Sequence, residues 1–306
     1  DDSEVETEIE NDPPIFVPRR SSRIKKSTLS QDFVYLSKEV EEETDWSQFG
    51  DPSSFIPEPR GIRAIMRLKK TDPLAYKLWT RAIKKEVKVL INLGTFKIED
   101  PKNNEPVIPT LEVMKVKFSS DGTWDKAKAR IVCRGDLQRQ YSTEDTWNAL
   151  AAKRTLRMFL ADAASFGAHI YQIDFIGAFL QATVKQTTYI KLSEHLAEFC
   201  PEYTQWYGRP LRLLKSIYGM TFSEKWWFLE IVEYITTELN FYQASCDQAL
   251  FIKEEDDGSM TKYLVYVDDS LYYNTKNNSK YLKKFEENMA ARFKVDFQGP
   301  AHWFLA

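Results

Sequence analysis

Cysteine is scarce. The chain has three in 306 residues, Cys133, Cys200 and Cys246, far apart and in no Cys-x-x-Cys pair. That is too few for a disulfide scaffold and fits a reducing intracellular compartment. Histidine is as rare: His169, His195 and His302 form no His-x-x-x-His or Cys/His spacing, so zinc chemistry has no ligand set. No uninterrupted apolar run reaches the roughly 18 residues that a spanning helix needs. The chain opens on carboxylates rather than on a basic and then apolar stretch, so no secretory signal is visible and no membrane role is expected. Internal repeats are absent too.

Charge, by contrast, is plentiful and unevenly placed. The net of −3 conceals a basic block between two acidic ones. Residues 1–60 hold 7 basic against 15 acidic side chains, residues 61–170 hold 21 against 12, and residues 171–306 hold 14 against 18. A basic block suits contact with a phosphate backbone, and an acidic one suits bound cations. Solvated helix faces would explain the same counts.

With 43% apolar residues the chain can bury the core of one large domain or two ordinary ones. The first 60 residues lack such material: Asp1 to Asp12 carries seven carboxylates, and Pro and Ser follow. A disordered leader is expected there. Its Arg19-Arg20-Ser21-Ser22-Arg23-Ile24-Lys25-Lys26 cluster reads as a nucleic-acid contact, a nuclear address or a plain solvated linker. Order is expected from Asp72-Pro73, an N-cap followed by Pro at the first helical position, which opens a helix to about Leu93. Strand-like runs follow at 95–98, 113–118 and 129–133, the last two forming a hairpin about Ser120-Asp121-Gly122 that carries Lys115, Lys117, Lys128, Arg130 and Arg134. Further helices are predicted over 151–167, 224–239 and 279–292, and further strands over 170–173, 189–192, 249–253 and 262–267. Helices mixed with antiparallel hairpin signals predict an α+β fold.

The most informative stretch is Tyr263-Leu264-Val265-Tyr266-Val267-Asp268-Asp269-Ser270-Leu271-Tyr272-Tyr273, where two adjacent carboxylates interrupt a β-prone run. No Lys or Arg lies between Tyr263 and Thr275, so any compensating cation must come from elsewhere. Asp174 offers a third carboxylate at the end of its own apolar strand. Side by side, the two strands would bring three carboxylates together, a donor set for hard divalent ions such as Mg²⁺ and for phosphoryl transfer that needs neither His nor Cys. Taken alone, Asp268-Asp269 is also compatible with an ordinary surface turn.

The wider pattern is an ordered series. It runs through Trp79, Ala82 and Glu86, then Lys117 with Asp121-Gly122, then Lys128-Ala129-Arg130-Ile131-Val132 with Arg134-Gly135. Gln172-Ile173-Asp174, Ala178-Phe179-Leu180, Ser216-Ile217-Tyr218-Gly219-Met220, Asp247 with Phe251, and Tyr266-Val267-Asp268-Asp269 complete it. In these motifs, residues 72–306 resemble the reverse transcriptase domain of copia-type retrotransposons. The resemblance implies a right-hand polymerase, with fingers over 61–170, a palm over 171–306 whose antiparallel sheet packs on helices, and no thumb before the chain ends at Ala306. The first 60 residues would be a polyprotein linker.

By that resemblance Asp174, Asp268 and Asp269 carry two Mg²⁺ ions, and Lys117, Lys128 and Arg130 lie near the triphosphate or the template backbone. Phe179 resembles the aromatic gate that rejects a 2′-hydroxyl, and Tyr266 packs near the primer end. Gly219 and Phe222 fall in the nucleotide-contacting segment. The implied partners are an RNA template, a DNA primer, deoxynucleoside triphosphates and other polyprotein products. The implied setting is intracellular, in a cytoplasmic particle or the nucleus. In one segment the chain departs from the family: Leu-Lys-Gln-Ala-Pro-Arg is replaced by Met220-Thr221-Phe222-Ser223-Glu224-Lys225, which puts an apolar ring where the family has a hydrogen-bonding glutamine. Three readings stand from this point: an RNA-directed DNA polymerase, an impaired remnant that binds nucleic acid or other polyprotein products, and a Mg²⁺-dependent nuclease or phosphatase, which fits the carboxylates but not the Lys117 to Arg134 hairpin and Phe179.

Overall fold

The computed structural model describes residues 58–102, 105–118, 124–138, 150–302 and 304. The leader's basic cluster, the Ser120-Asp121-Gly122 turn and Ala306 lie outside them. Helix α1 (Ile62–Thr71) leads into α2 (Pro73–Asn92), the helix expected from Asp72-Pro73. The Asp72 side chain accepts the Ala75 N–H at 3.0 Å, and Pro73 occupies the first turn where its missing N–H costs nothing. At the other end Gly94 takes φ +59 and donates to the Ile91 carbonyl, while the Thr95 N–H reaches back to Leu90. These two bonds satisfy carbonyls that a helix end leaves open.

Two sheets follow. The first has the order β1 (Phe96–Ile98), β6 (Pro210–Leu213), β5 (Tyr189–Lys191), β2 (Val107–Phe118), β3 (Trp124–Cys133). Its pairings are antiparallel except for β2 with β5. The β2–β3 hairpin is longer than its sequence signal, because Ile108, Met114, Ala129 and Ile131 are buried along it. β5 and β6 come from beyond residue 170, so this sheet does not end where the basic block does.

The second sheet runs β11 (Val295–Pro300), β4 (Tyr171–Phe175), β10 (Asp269–Asn274), β9 (Met260–Tyr266), β8 (Asp247–Glu254), β7 (Tyr242–Ala244). All its pairings are antiparallel. Helices α3 (Lys153–Ser165), α4 (Ser223–Thr237) and α5 (Ser279–Arg292) contribute buried faces to the core. Packing is strongly aromatic: the ring of Phe159 on α3 meets Tyr273 at 4.8 Å, Trp227 on α4 meets Phe175 at 4.9 Å, and Phe285 on α5 meets Tyr272 at 5.1 Å. Helix α3 lacks a capping side chain of its own. Asp247, far along the chain, supplies one, accepting the Ala152 N–H at 3.0 Å and the Thr155 hydroxyl at 2.5 Å. The architecture is α+β, with no helix among the described residues long and apolar enough to cross a membrane.

Candidate active site

Strands β4 and β10 do lie side by side. Asp174 and Asp269 are register partners, and the same rung extends to Asp296 on β11. Side chains in one rung project from one face of a sheet, so the rung aligns three carboxylates. Asp268 sits in the two-residue link between β9 and β10, its own carbonyl accepting the Phe175 N–H at 2.8 Å. Asp268 is exposed, while Asp174 and Asp269 are half-buried.

The crowding shows in their acidity. Burial first, then the charges of Asp269 and Asp268, push Asp174 from 3.8 up to about 6, against the pull of the Lys128 ammonium. Asp269 is also raised, by burial and then by Asp268, with the Gln172 amide opposing from 3.4 Å. Each is a group whose charged form lacks compensation. An all-oxygen donor set of this kind suits a hard divalent cation, and bound positive charge would relieve the strain on Asp174. Among the described residues no three acidic, His or Cys side chains already close into a coordinating group. Mg²⁺ keeps several waters and is completed by substrate phosphates, so an open carboxylate row fits it.

The cation that acts on Asp174, Lys128, comes from the β2–β3 hairpin. Val113 pairs with Arg130, Lys115 with Lys128 and Lys117 with Lys126 across β2 and β3. Like charges directly opposite one another destabilise a sheet, so two lysine pairs in succession are a cost unless an anion joins them. Lys115 is offset by Glu58 at 2.8 Å. Lys128 is held below its usual range by burial and then by Arg130. The Arg130 guanidinium lies over the Tyr218 ring at 5.0 Å, and its buried Nε finds no hydrogen-bond partner among the described residues.

Tyr218 in turn meets Phe179 edge to face at 5.5 Å. Phe179 is half-buried on the short 3₁₀ turn Ala178–Gln181, which follows β4. Gly219, at φ +80, lets the next loop touch β3: a Cβ there would stand 2.3 Å from Val132 Cγ1 and 2.4 Å from the Cys133 carbonyl. The Cys133 N–H donates to the Tyr218 carbonyl at 2.8 Å, which ties the hairpin to this loop. Tyr266 is half-buried, its ring 6.3 Å from Phe304. Lys117 is exposed further along the hairpin.

Phe222 is placed differently from what the motif comparison suggests. It is 6% exposed and stacks on Trp226 at 5.4 Å, so its ring is core rather than pocket wall. Tyr218, four residues earlier, is half-buried instead, between the Phe179 ring and the Arg130 guanidinium. Sequence reasoning quoted Tyr218 and Gln172 without giving them a role, and it missed Asp296, which only strand pairing puts beside the acidic pair.

Residues 94–306 match the family described as reverse transcriptase (RNA-dependent DNA polymerase). The chain belongs to this family. Among curated proteins, this reverse transcriptase domain is 26% identical over 258 residues to the retrovirus-related Pol polyprotein from transposon RE1 of Arabidopsis thaliana, covering 81% of the chain and 17% of that protein. It is 28% identical over 230 residues to the polyprotein from transposon RE2 of the same plant, covering 74% and 15%. The reverse transcriptase domain is therefore of the copia-type retrotransposon kind, and the chain spans less than a fifth of the length of these relatives. A solved structure, the protease-reverse transcriptase of prototype foamy virus, is 13% identical with a TM-score of 0.36, over 89% of this chain and 31% of that one. That score is too low to bear on the fold.

Proposed function

We propose that the chain is the polymerising core of an RNA-directed DNA polymerase. It would extend a DNA primer on an RNA template with deoxynucleoside triphosphates. The observation that carries the reading is the pairing of Asp174 with Asp269, Asp268 adjoining, with Lys128 of the cationic hairpin near enough for its charge to act on Asp174. Residues 61–138, joined by β5 and β6, act as fingers, and helix α3, which packs on the second sheet through Phe159 and Tyr273, acts with the rest of 171–306 as palm. Asp174, Asp268 and Asp269 would hold two Mg²⁺ ions. When bound, these supply the charge that lowers the pKa of the primer 3′-hydroxyl and neutralises the triphosphate.

The chain's own residues do the positioning. Lys128 and Arg130 meet phosphate oxygens, Arg130 pre-aimed by its seat on Tyr218, so that developing charge finds cations already in place. Lys117, further out, contacts backbone phosphate. Phe179, braced by Tyr218, lies beneath the sugar and excludes a 2′-hydroxyl. Gly219 keeps the Tyr218 loop close to the hairpin, Phe222 anchors the chain just after it in the core through Trp226, and Tyr266 faces the primer end. Other polyprotein products are natural partners for a piece of this kind.

The test is primer extension on an RNA template with Mg²⁺, beside the Asp268→Asn protein, with template binding followed in the same samples. Extension lost in the variant and template binding kept is the expected result. Template binding without extension by the unaltered chain would leave a nucleic-acid-binding remnant instead.

A further inference from the structure

The link that carries Asp268 is strained at the residue before it. Val267 has φ +52, a left-handed conformation that crowds a β-branched side chain. The other described non-glycine residues with positive φ are Asn240 and Asn277, a type that tolerates it. A hairpin link would normally place Gly or Asn there. Such a conformation persists only where the surroundings over-determine it.

Two bonds do so. The Trp227 indole Nε1–H donates to the Val267 carbonyl at 2.6 Å, and the Phe175 backbone N–H donates to the Asp268 carbonyl at 2.8 Å. Both carbonyls of the two-residue link are thus held from outside the hairpin. The two holders also pack on each other: the Trp227 ring meets Phe175 edge to face at 4.9 Å and Phe293 at 5.4 Å. Trp227 is 1% exposed, so its indole has no room to turn. Phe175 directly follows Asp174. One rigid wedge therefore connects both carboxylate-bearing segments.

We infer that Trp227 is a positioning residue for polymerisation. Its indole N–H holds the Val267 carbonyl and keeps the link in the left-handed form that presents Asp268 and Asp269 together with Asp174. This rests on the polymerase reading above. It assigns the role to the N–H, and the ring alone would only fill the core.

Trp227→Phe keeps an aromatic ring and removes the donor. In primer extension its kcat should fall roughly tenfold or more, as expected when a buried acceptor is left open, with KM for the deoxynucleotide and template affinity little changed. Adding Val267→Gly should restore most of the rate, because glycine takes φ +52 without crowding and needs no holding bond. Mn²⁺ binding, followed by electron paramagnetic resonance without turnover, should weaken in Trp227→Phe and recover in the double variant. An unchanged kcat, or a loss that Val267→Gly leaves in place, overturns the inference while the polymerase reading stands. If the unaltered chain neither extends a primer nor binds Mn²⁺ through Asp268, the polymerase reading itself falls. Should Trp227→Phe fail to fold, ¹⁵N-indole exchange in the unaltered chain decides: slow exchange of the Trp227 N–H is expected, and fast exchange overturns the bond.

Discussion

Asp174 and Asp269 stand opposite each other on neighbouring antiparallel strands although 95 positions separate them in the chain. The pairing brings together two carboxylates that oppose each other's ionisation, so stability is given up where charge is concentrated.

Asp174→Asn should therefore stabilise the metal-free chain while abolishing primer extension. With its acidity shifted from 3.8 to about 6, Asp174 in the folded chain keeps a proton that the unfolded chain has released between those values. Stability then falls as pH rises through that window, and the deficit persists above it. At neutral pH the gain in Asn is at most about 3 kcal/mol, or several degrees in Tm. It should vanish near pH 4. Thermal melts of both proteins across pH check this, and an equal Tm at neutral pH would refute it.

Phe179→Ala should relax sugar discrimination. With Phe179 as the proposed gate, removing the ring opens space at C2′, and the ratio of deoxynucleotide to ribonucleotide incorporation should drop by roughly tenfold or more, the scale of one lost steric contact in a pocket. Tyr218→Ala should lower the same ratio less steeply, since Tyr218 touches the proposed gate only through the Phe179 ring. Single-nucleotide insertion kinetics measure both, and an unaltered ratio in Phe179→Ala counts against the gate.

Restoring the family's glutamine at Phe222 should not raise activity. The motif comparison alone suggests a gain, but the buried ring stacked on Trp226 predicts a loss. A buried amide without a partner costs about 1–3 kcal/mol. Chemical denaturation should show Phe222→Gln less stable, with primer extension no faster. A clear rise in extension would show that the side chain does reach the nucleotide.

Glu86 provides a second pH effect, away from the carboxylate row. Burial pushes it from 4.5 up to about 7, against its bond from the Ile131 N–H and the pull of Lys128 and then Arg130. Its folded form retains a proton that the unfolded form loses, so stability declines as pH climbs through that interval. Glu86→Gln keeps an acceptor for Ile131 and should flatten the decline. Above pH 7 the variant should be more stable, by no more than about 3.5 kcal/mol. Denaturant midpoints at pH 5 and pH 8 separate the two proteins.

Much of this was legible in the residues. Helix α2 follows from Asp72-Pro73 and Gly94, because capping and termination are settled within a few neighbouring residues. The cationic hairpin is legible for the same reason. Helix α1 and strands β6, β7 and β11 escaped notice: α1 carries scattered cations, and the three strands are short pieces whose order depends on partners elsewhere.

What the sequence determined by itself was the local chemistry: two adjacent aspartates in an apolar run, a third at a strand end, a row of cations, an aromatic after Asp174. What only the tertiary structure decided was who meets whom. The pairing of β4 with β10 aligned Asp174 with Asp269, and β11 added Asp296 to the rung. Packing turned Phe222 inward, set Tyr218 under Arg130, and set the Trp227 indole on the Val267 carbonyl. Local conformation depends on a few residues in a row, whereas register and side-chain facing depend on contacts between segments far apart in the chain, which no window along the sequence contains.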